Sequence, residues 1–382
     1  MASTSGAGHV GPLVPFAHAC LLAGHEVRVA VPDQALPVVE RAGLTGLQFG
    51  YPSDEEVGPI WARVQSASPE DKDLIVVNEL FGRLYTRAAL PGMLNMVEEW
   101  RPHLIVRESA ELSSSLAAEL HGVPQVRVAV TLGMEDLFLS MLHGSLDDLR
   151  EELGLPEDCE LEAVRRSPEL SLAPPSFYAG EGSSTHHFRT REQPAPPLPY
   201  WWPGDPRPLA YVTLGTAVPQ MEFFPALFRD AVEALEDVPA RVLFTVGAHR
   251  EPAELGPVPS NVRVEKWVAQ QSVLPHAAAV ACHGGSGTTL GALSHGIPLA
   301  VLPIIADQPQ NADRVAALGA GIALHGGPPA APRLGPALSA LLREPSYRAA
   351  AARVAAEVSA LPPVDDAVHL LEEFSRQAAV TR

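Results

Sequence analysis

The sequence predicts an α/β protein made of two doubly wound halves, each a parallel sheet covered by helices. Two observations carry this. Short apolar, strand-like runs alternate with helix-like runs along the chain, and a segment with seven prolines, QPAPPLPYWWPGDPRP, divides the series in two. A length of 382 residues agrees, because single cores stop growing at roughly 250–300 residues.

In the first half, residues 11–23 read as a helix, HEVRVAVP from His25 as a strand and residues 34–42 as a second helix. HLIVRES from His103 is the next strand, residues 110–120 the next helix and QVRVAV from Gln125 another strand. Residues 54–73 and 135–148 follow neither period and are expected to be loops or mobile helices. The prolines of 193–208 exclude helix and central strand. The expected domains are therefore 1–195 and 209–361, joined by a linker at 196–208. In the second half, LAYVTLGT from Leu209, RVLFTVG from Arg241, NVRVEKWV from Asn261 and IPLAVLPIIA from Ile297 read as strands, with a helix over 223–235. Val368, Leu371 and Phe374 fall on one face of a terminal helix over 362–378, expected to pack back on the first domain. Ligands of such sheets sit at the carboxyl ends of the strands, so the two halves are expected to face one interdomain cleft.

Twenty-seven Lys and Arg stand against 45 Asp and Glu, a net charge of −18, with no basic block. This balance repels nucleic acid and anionic membranes. The three cysteines, Cys20, Cys159 and Cys282, are too scattered for a disulfide framework or a metal-ligand spacing. There is no signal-peptide pattern and no apolar run near the ~18 residues of a membrane span. A cytoplasmic location is expected.

Candidate chemistry begins with HGGSGTTLGALSHGIP, residues 283–298. Gly284, Gly285 and Gly287 let backbone approach a ligand, and Ser286, Thr288 and Thr289 are natural first-turn residues of the helix that follows. Helix starts attract anions, which makes this loop a candidate phosphate site; an ordinary packing turn is the plainer alternative. SGAGHVGPLVP, residues 5–15, is a second glycine turn into a helix and carries His9, a candidate general base. Glu108 ends a strand of the same half, where it can orient the imidazole; pairing with Arg107 or capping the next helix is its plainer role. Glu111 is the reserve partner. Leu214, Gly215 and Thr216 can present N–H groups to a diphosphate. Trp267 can stack on a base while Val268 bonds the base edge and Gln270 a ribose, although an isolated tryptophan is more often core. Asp307 and Gln308 can bind sugar hydroxyls, or Asp307 can simply cap a helix with Pro309 in its first turn.

WVAQQSVLPH, then HGGSGTTLGALSHGIPLAVLP, then ADQPQNADRV resemble, in that order, the donor-binding signature of family 1 nucleotide-sugar glycosyltransferases of GT-B fold. The likeness is greatest to bacterial enzymes that glycosylate macrolide, enediyne and other antibiotic aglycones. SGAGHVGPLVP resembles the N-terminal motif of the same family. The specific part spans about fifty residues, Trp267 to Val315, and the general likeness nearly the whole chain. The resemblance implies that His9 deprotonates the acceptor hydroxyl with Glu108 at the place of the usual aspartate. It implies that Trp267 stacks on the base, that His283, Gly285, Ser286, Gly287 and Thr288 hold the diphosphate, and that Asp307 and Gln308 hold the sugar. No D-x-D pair stands at a suitable strand end, so no catalytic metal is expected; the nucleotide-sugar is a co-substrate with no further cofactor expected, and a homodimer is one assembly to test.

Three features depart from the family. Gly291 stands where a ribose-binding carboxylate is common, which points to a dTDP-sugar donor over a UDP-sugar. Glu108 is one methylene longer than aspartate. Only MASTS precedes Gly6, where the family has a buried central strand; its neighbours are then expected to lack partners, and added upstream residues to stabilise the protein. The expected reaction is an inverting sugar transfer. An epimerase of the same fold and a non-catalytic accessory subunit stand as alternatives, while neither glycine turn has a dehydrogenase's dinucleotide spacing.

Overall fold

The structure, a computed structural model, describes residues 1–178, 185–191, 196–199, 201 and 204–380. Twelve strands lie within them: β1 (Val29–Pro32), β2 (Gly46–Phe49), β3 (Ile105–Glu108), β4 (Gln125–Val128), β5 (Glu169–Ser171), β6 (Thr185–His187), β7 (Leu209–Thr213), β8 (Arg241–Thr245), β9 (Val262–Glu265), β10 (Ala277–Cys282), β11 (Leu299–Val301) and β12 (Gly321–Ala323). The helices of the first half are α1 (Ala7–Leu22), α2 (Leu36–Arg41), α3 (Asp54–Ser66), α4 (Pro69–Ile75), α5 (Thr86–Trp100), α6 (Ser113–His121), α7 (Glu135–Met141), α8 (Asp147–Glu152) and α9 (Glu162–Arg165). A widened, π-type helix, Val76–Tyr85, joins α4 to α5. The rest are α10 (Ala226–Glu233), α11 (Gln270–Val273), α12 (Ser286–Ser294), α13 (Gln308–Ala317), α14 (Leu334–Arg343), α15 (Pro345–Ala360) and α16 (Ala367–Val380).

The chain forms two compact units. Unit 1 is Met1–Arg191 with Leu361–Arg382, and unit 2 is Glu192–Ala360. Part of the proline-rich segment, residues 193–195, 200, 202 and 203, lies outside the described residues.

Unit 2 is a six-stranded parallel sheet in the order β12-β11-β10-β7-β8-β9. In chain order this reads 3-2-1-4-5-6, the doubly wound arrangement that reverses between its first and fourth strands, here β7 and β10. Its central strands are buried on both faces, and Phe228, Phe244 and Leu338 fill one layer of the core.

Unit 1 repeats the pattern with one difference. Its first strand is reduced to Met1–Ser3. Ala2 bridges Ala30 on one side and Arg107 on the other, both in parallel sense. The Ala2 N–H donates to the Val106 carbonyl at 2.9 Å, the Ser3 N–H to Ala30 at 3.0 Å and the Glu108 N–H to Ala2 at 3.0 Å. The expectation that the neighbours of the short N-terminus lack partners is thus corrected: three residues suffice to join β1 to β3, and Ala2 and Ser3 are buried. The sheet then reads β2-β1-(Met1–Ser3)-β3-β4-β5-β6.

Two further expectations are made more definite. Residues 54–73 and 135–148 are largely helical, in α3, α4, α7 and the start of α8. The signal was present in Ser53 and Glu56, which form a reciprocal capping box at the start of α3, and in Ser68, which accepts from the Asp71 N–H at 3.2 Å. The terminal helix starts at Ala367 and lays Val368 and Leu371 against Leu13 and Phe16 of α1, with Phe374 at the margin of the same cluster. It is joined to the edge of unit 1 by Arg189, whose N–H donates to the Pro362 carbonyl at 2.9 Å and whose carbonyl accepts from the Val364 N–H at 3.0 Å.

Candidate active site

In unit 1 the order reversal falls between Met1–Ser3 and β3, and the candidate residues flank it. The turn at Gly6, with φ of 106°, leads into α1, which starts four residues earlier than the sequence pattern suggests. His9 is therefore in the first turn of the helix. Its Nδ1 lies 3.2 Å from Glu108 Oε2 at the end of β3. His9 is 27% exposed and the Glu108 side chain fully buried.

Glu108 is tied down from several directions. Its Oε1 accepts from the Thr4 N–H at 3.0 Å and the Thr4 hydroxyl at 2.8 Å, and its Oε2 from the Ala110 N–H at 2.7 Å. Burial pushes the carboxyl pKa up, but His9 opposite and these hydrogen bonds outweigh it, so the group stays below the usual carboxylate range. Its plainer roles are partly realised: it caps the turn at Ala110, but the Arg107 guanidinium turns to the carbonyls of Glu108, Ser109 and Glu111. Glu111, the reserve partner, serves α6 instead, accepting from the N–H and hydroxyl groups of Ser113 and Ser114. That cap starts α6 at Ser113, three residues after the expected position.

Sequence reasoning missed the wall beside His9. Phe81, on the π-type helix, has its ring centroid 5.5 Å from the imidazole. Tyr85 meets Phe81 edge-on at 5.4 Å and stacks on Tyr51 at 4.9 Å, and Phe138 of α7 closes the group at 6.3 Å from Phe81. A small cavity lined by Thr4, Tyr51, Tyr85 and Glu111 opens on the same side. Of these rings only Phe138 lies in a run that the sequence analysis singled out, and which way the rings face depends on packing.

In unit 2 the reversal falls between β7 and β10, and here too candidate residues gather. Gly215, with φ of 79°, and the exposed Thr216 follow β7; His283 follows β10. The imidazole is clasped between two glycine backbones. A Cβ on Gly215 would lie 2.5 Å from its Nε2, and one on Gly285 would also collide with it. Gly285 is the residue preceding α12, so the N–H groups of Ser286, Gly287 and Thr288 open the helix and have no partner within it. Burial pulls the His283 pKa down from 6.5 to about 4, against a hydrogen bond with the Thr213 backbone. At neutral pH the ring is thus uncharged: it can donate a hydrogen bond to an anion but supplies no cation.

The other predicted residues surround this loop. Trp267, on the loop after β9, is 63% exposed, which excludes the core role. Val268 is partly buried beside it. Gln270 opens α11 and donates to the Thr288 hydroxyl at 2.8 Å. Asp307 precedes α13 but does not cap it through its side chain; its Oδ2 accepts from Ser286 at 3.1 Å and from Asn311 at 2.8 Å. Asn311 also donates to the Gly284 carbonyl at 2.9 Å, joining the glycine loop to α13. Gln308 is buried, and its carbonyl oxygen accepts from the Ile304 and Ile305 N–H groups, which leaves its amide nitrogen for a ligand. No helix among the described residues is long and apolar enough to cross a membrane.

Comparison with known proteins decides the family. The erythromycin biosynthesis protein CIII-like N-terminal domain matches residues 18–208, and the C-terminal domain of the same family matches residues 229–374. The chain belongs to this family of antibiotic glycosyltransferases. It is 31% identical to the L-demethylnoviosyl transferase of Streptomyces niveus over 95% of this chain and 94% of that protein. It is 30% identical to the TDP-daunosamine transferase DnrS of Streptomyces peucetius, covering 96% and 94% of the two chains. Among solved structures, the glycosyltransferase VinC in complex with dTDP superposes with a TM-score of 0.78 at 25% identity, covering 99% of each chain. The spinosyn rhamnosyltransferase SpnG shares the fold, with a TM-score of 0.80 at 24% identity over 97% of this chain and 98% of that one. The GT-B fold and the resemblance read from the donor signature agree with these matches.

Proposed function

We propose that the protein is an inverting glycosyltransferase that moves a sugar from a dTDP-deoxysugar to a hydroxyl of a small-molecule natural-product aglycone. The observation that carries the catalytic part is the 3.2 Å contact between His9 and the buried Glu108. Glu108 holds Nδ1 protonated, so that Nε2 is the basic nitrogen and faces the acceptor. As the acceptor oxygen attacks the anomeric carbon, its proton passes to Nε2. The new C–O bond forms on one face of the sugar while the bond to the diphosphate breaks on the other, the electron pair leaving with the phosphate oxygen. Glu108 stabilises the imidazolium that results. The N–H groups opening α12, with neutral His283 as a further donor, take up the charge on the leaving group. An accessory, non-catalytic role would leave this pair without a use.

The donor assignment rests on Gly291 in α12, which brings no carboxylate to the ribose. Gln270 Oε1 stands 3.9 Å from where its Cβ would be. An amide there serves one ribose hydroxyl, which is all a deoxyribose presents. The solved relative in complex with dTDP supports the same choice. The aromatic wall of Phe81, Tyr85 and Tyr51 supports an acceptor with a flat, unsaturated face.

Calorimetric titration with dTDP and UDP tests the donor site. Micromolar binding of dTDP, weaker binding of UDP, and loss of both in Trp267→Ala and His283→Ala are expected. Tighter binding of UDP would overturn the donor assignment.

A further inference from the structure

Away from the residues assigned to sugar transfer, two loops of unit 1 bring three different metal-binding side chains together. His143 follows α7, and Cys159 and Glu160 precede α9. Their ligand atoms all lie within 4.8 Å of one another, and His143 Nδ1 is 3.3 Å from Glu160 Oε1. The loops are held in register by the backbone, since the Gly144 N–H donates to the Cys159 carbonyl at 3.2 Å. The neighbouring carboxylate, Asp158, is occupied: its oxygens accept from the Glu162 and Ala163 N–H groups at 2.7 and 3.0 Å.

We propose that His143, Cys159 and Glu160 bind one thiophilic divalent cation, zinc being the best match, with water completing a tetrahedron. Ligands at about 2.0–2.3 Å from a tetrahedral ion stand roughly 3.3–3.7 Å apart, which is the spacing the imidazole and carboxylate already have. A sulfur and a nitrogen donor select zinc and its softer neighbours over magnesium or calcium. A thiolate and a carboxylate balance the two positive charges, and the thiol proton goes to solvent on binding. All three side chains are exposed, so a hydrated ion reaches them without a change of fold.

The position gives the ion a structural effect. The carbonyls of Met141 and His143 accept from the Asn78 amide at 3.0 and 3.2 Å, and Asn78 belongs to the helix that carries Phe81 and Tyr85. A cation clamping His143 to Cys159 therefore stiffens the loop behind the aromatic wall.

The test uses the full chain without a histidine tag. Cobalt(II) serves as optical probe, and zinc is titrated against a chromophoric chelator. One equivalent, a thiolate-to-cobalt charge-transfer band and release of one proton are expected, with affinity falling more than about tenfold in both Cys159→Ser and His143→Ala. Absence of the band, or zinc affinity unchanged in both variants, would overturn the proposal. None of these readouts requires turnover, so they stand apart from the assignment of sugar transfer.

Discussion

Glu108 is a carboxylate that water does not reach, and its four partners are what keep it charged. Glu108→Gln preserves shape and removes the charge that supports an imidazolium. A fall in kcat of about a hundredfold or more, with little change in KM for the donor, is expected in steady-state assays. Because its folded pKa is depressed, its contribution to stability is fully present above the ordinary carboxylate pKa and lost only as pH falls through the lower folded value. His283 works in the opposite sense. Its folded pKa of about 4 lies below the ordinary 6.5, so between those values the unfolded chain binds the proton and the folded chain does not. Stability is expected to decline as pH drops from about 6.5 to about 4, by about 3 kcal/mol at most, and urea titrations of His283→Gln should flatten that slope. His9 and Trp267 were legible as candidates because each stands beside a strand end in a recognisable motif. That His283 is uncharged, and that Gln308 spends its carbonyl oxygen on its own loop, follow from packing that no local spacing encodes.

At the level of elements, the apolar strands β1, β3, β4, β7, β8, β9 and β11 were easier to read than α3 and α4, while β2, β5, β6, β10 and β12 went unread. An apolar run of four or five residues flanked by turn residues has few other uses, whereas α3 and α4 bury little and follow no clear apolar stripe; only their caps mark them. The glycine loop was legible as a candidate anion site, but not the reason for glycine on the facing strand end. Gly215 has positive φ and lies against the His283 ring. Gly215→Ala is expected to displace the imidazole and weaken dTDP binding by about tenfold or more while leaving the far-UV spectrum unchanged; calorimetry and circular dichroism together check this. Glu111, which gathers the first N–H groups of α6, is expected to cost about 1–2 kcal/mol of stability when changed to Ala, measured by chemical denaturation.

Across the whole molecule, the alternation of strands and helices foretold two sheets with the same order reversal. It did not foretell that Met1–Ser3 would hold the middle of one of them, because three residues carry too little periodicity to be called a strand. The unit boundary falls at Glu192 and Ala360, beside the expected domain ends at 195 and 361, and the terminal segment lies in unit 1. Deleting residues 361–382 removes Val364, Ala367, Val368 and Leu371 from the core beneath α1. A loss on the order of 5 kcal/mol is expected, seen as a large drop in melting temperature. The same return of the chain governs how such proteins can be recombined. On the proposed assignment of the donor site to unit 2, a chimera meant to exchange one donor specificity for another should take residues 192–360 as a cassette and keep the last twenty-two residues with their own unit 1, because a single crossover carried to the C-terminus would graft a foreign helix onto α1.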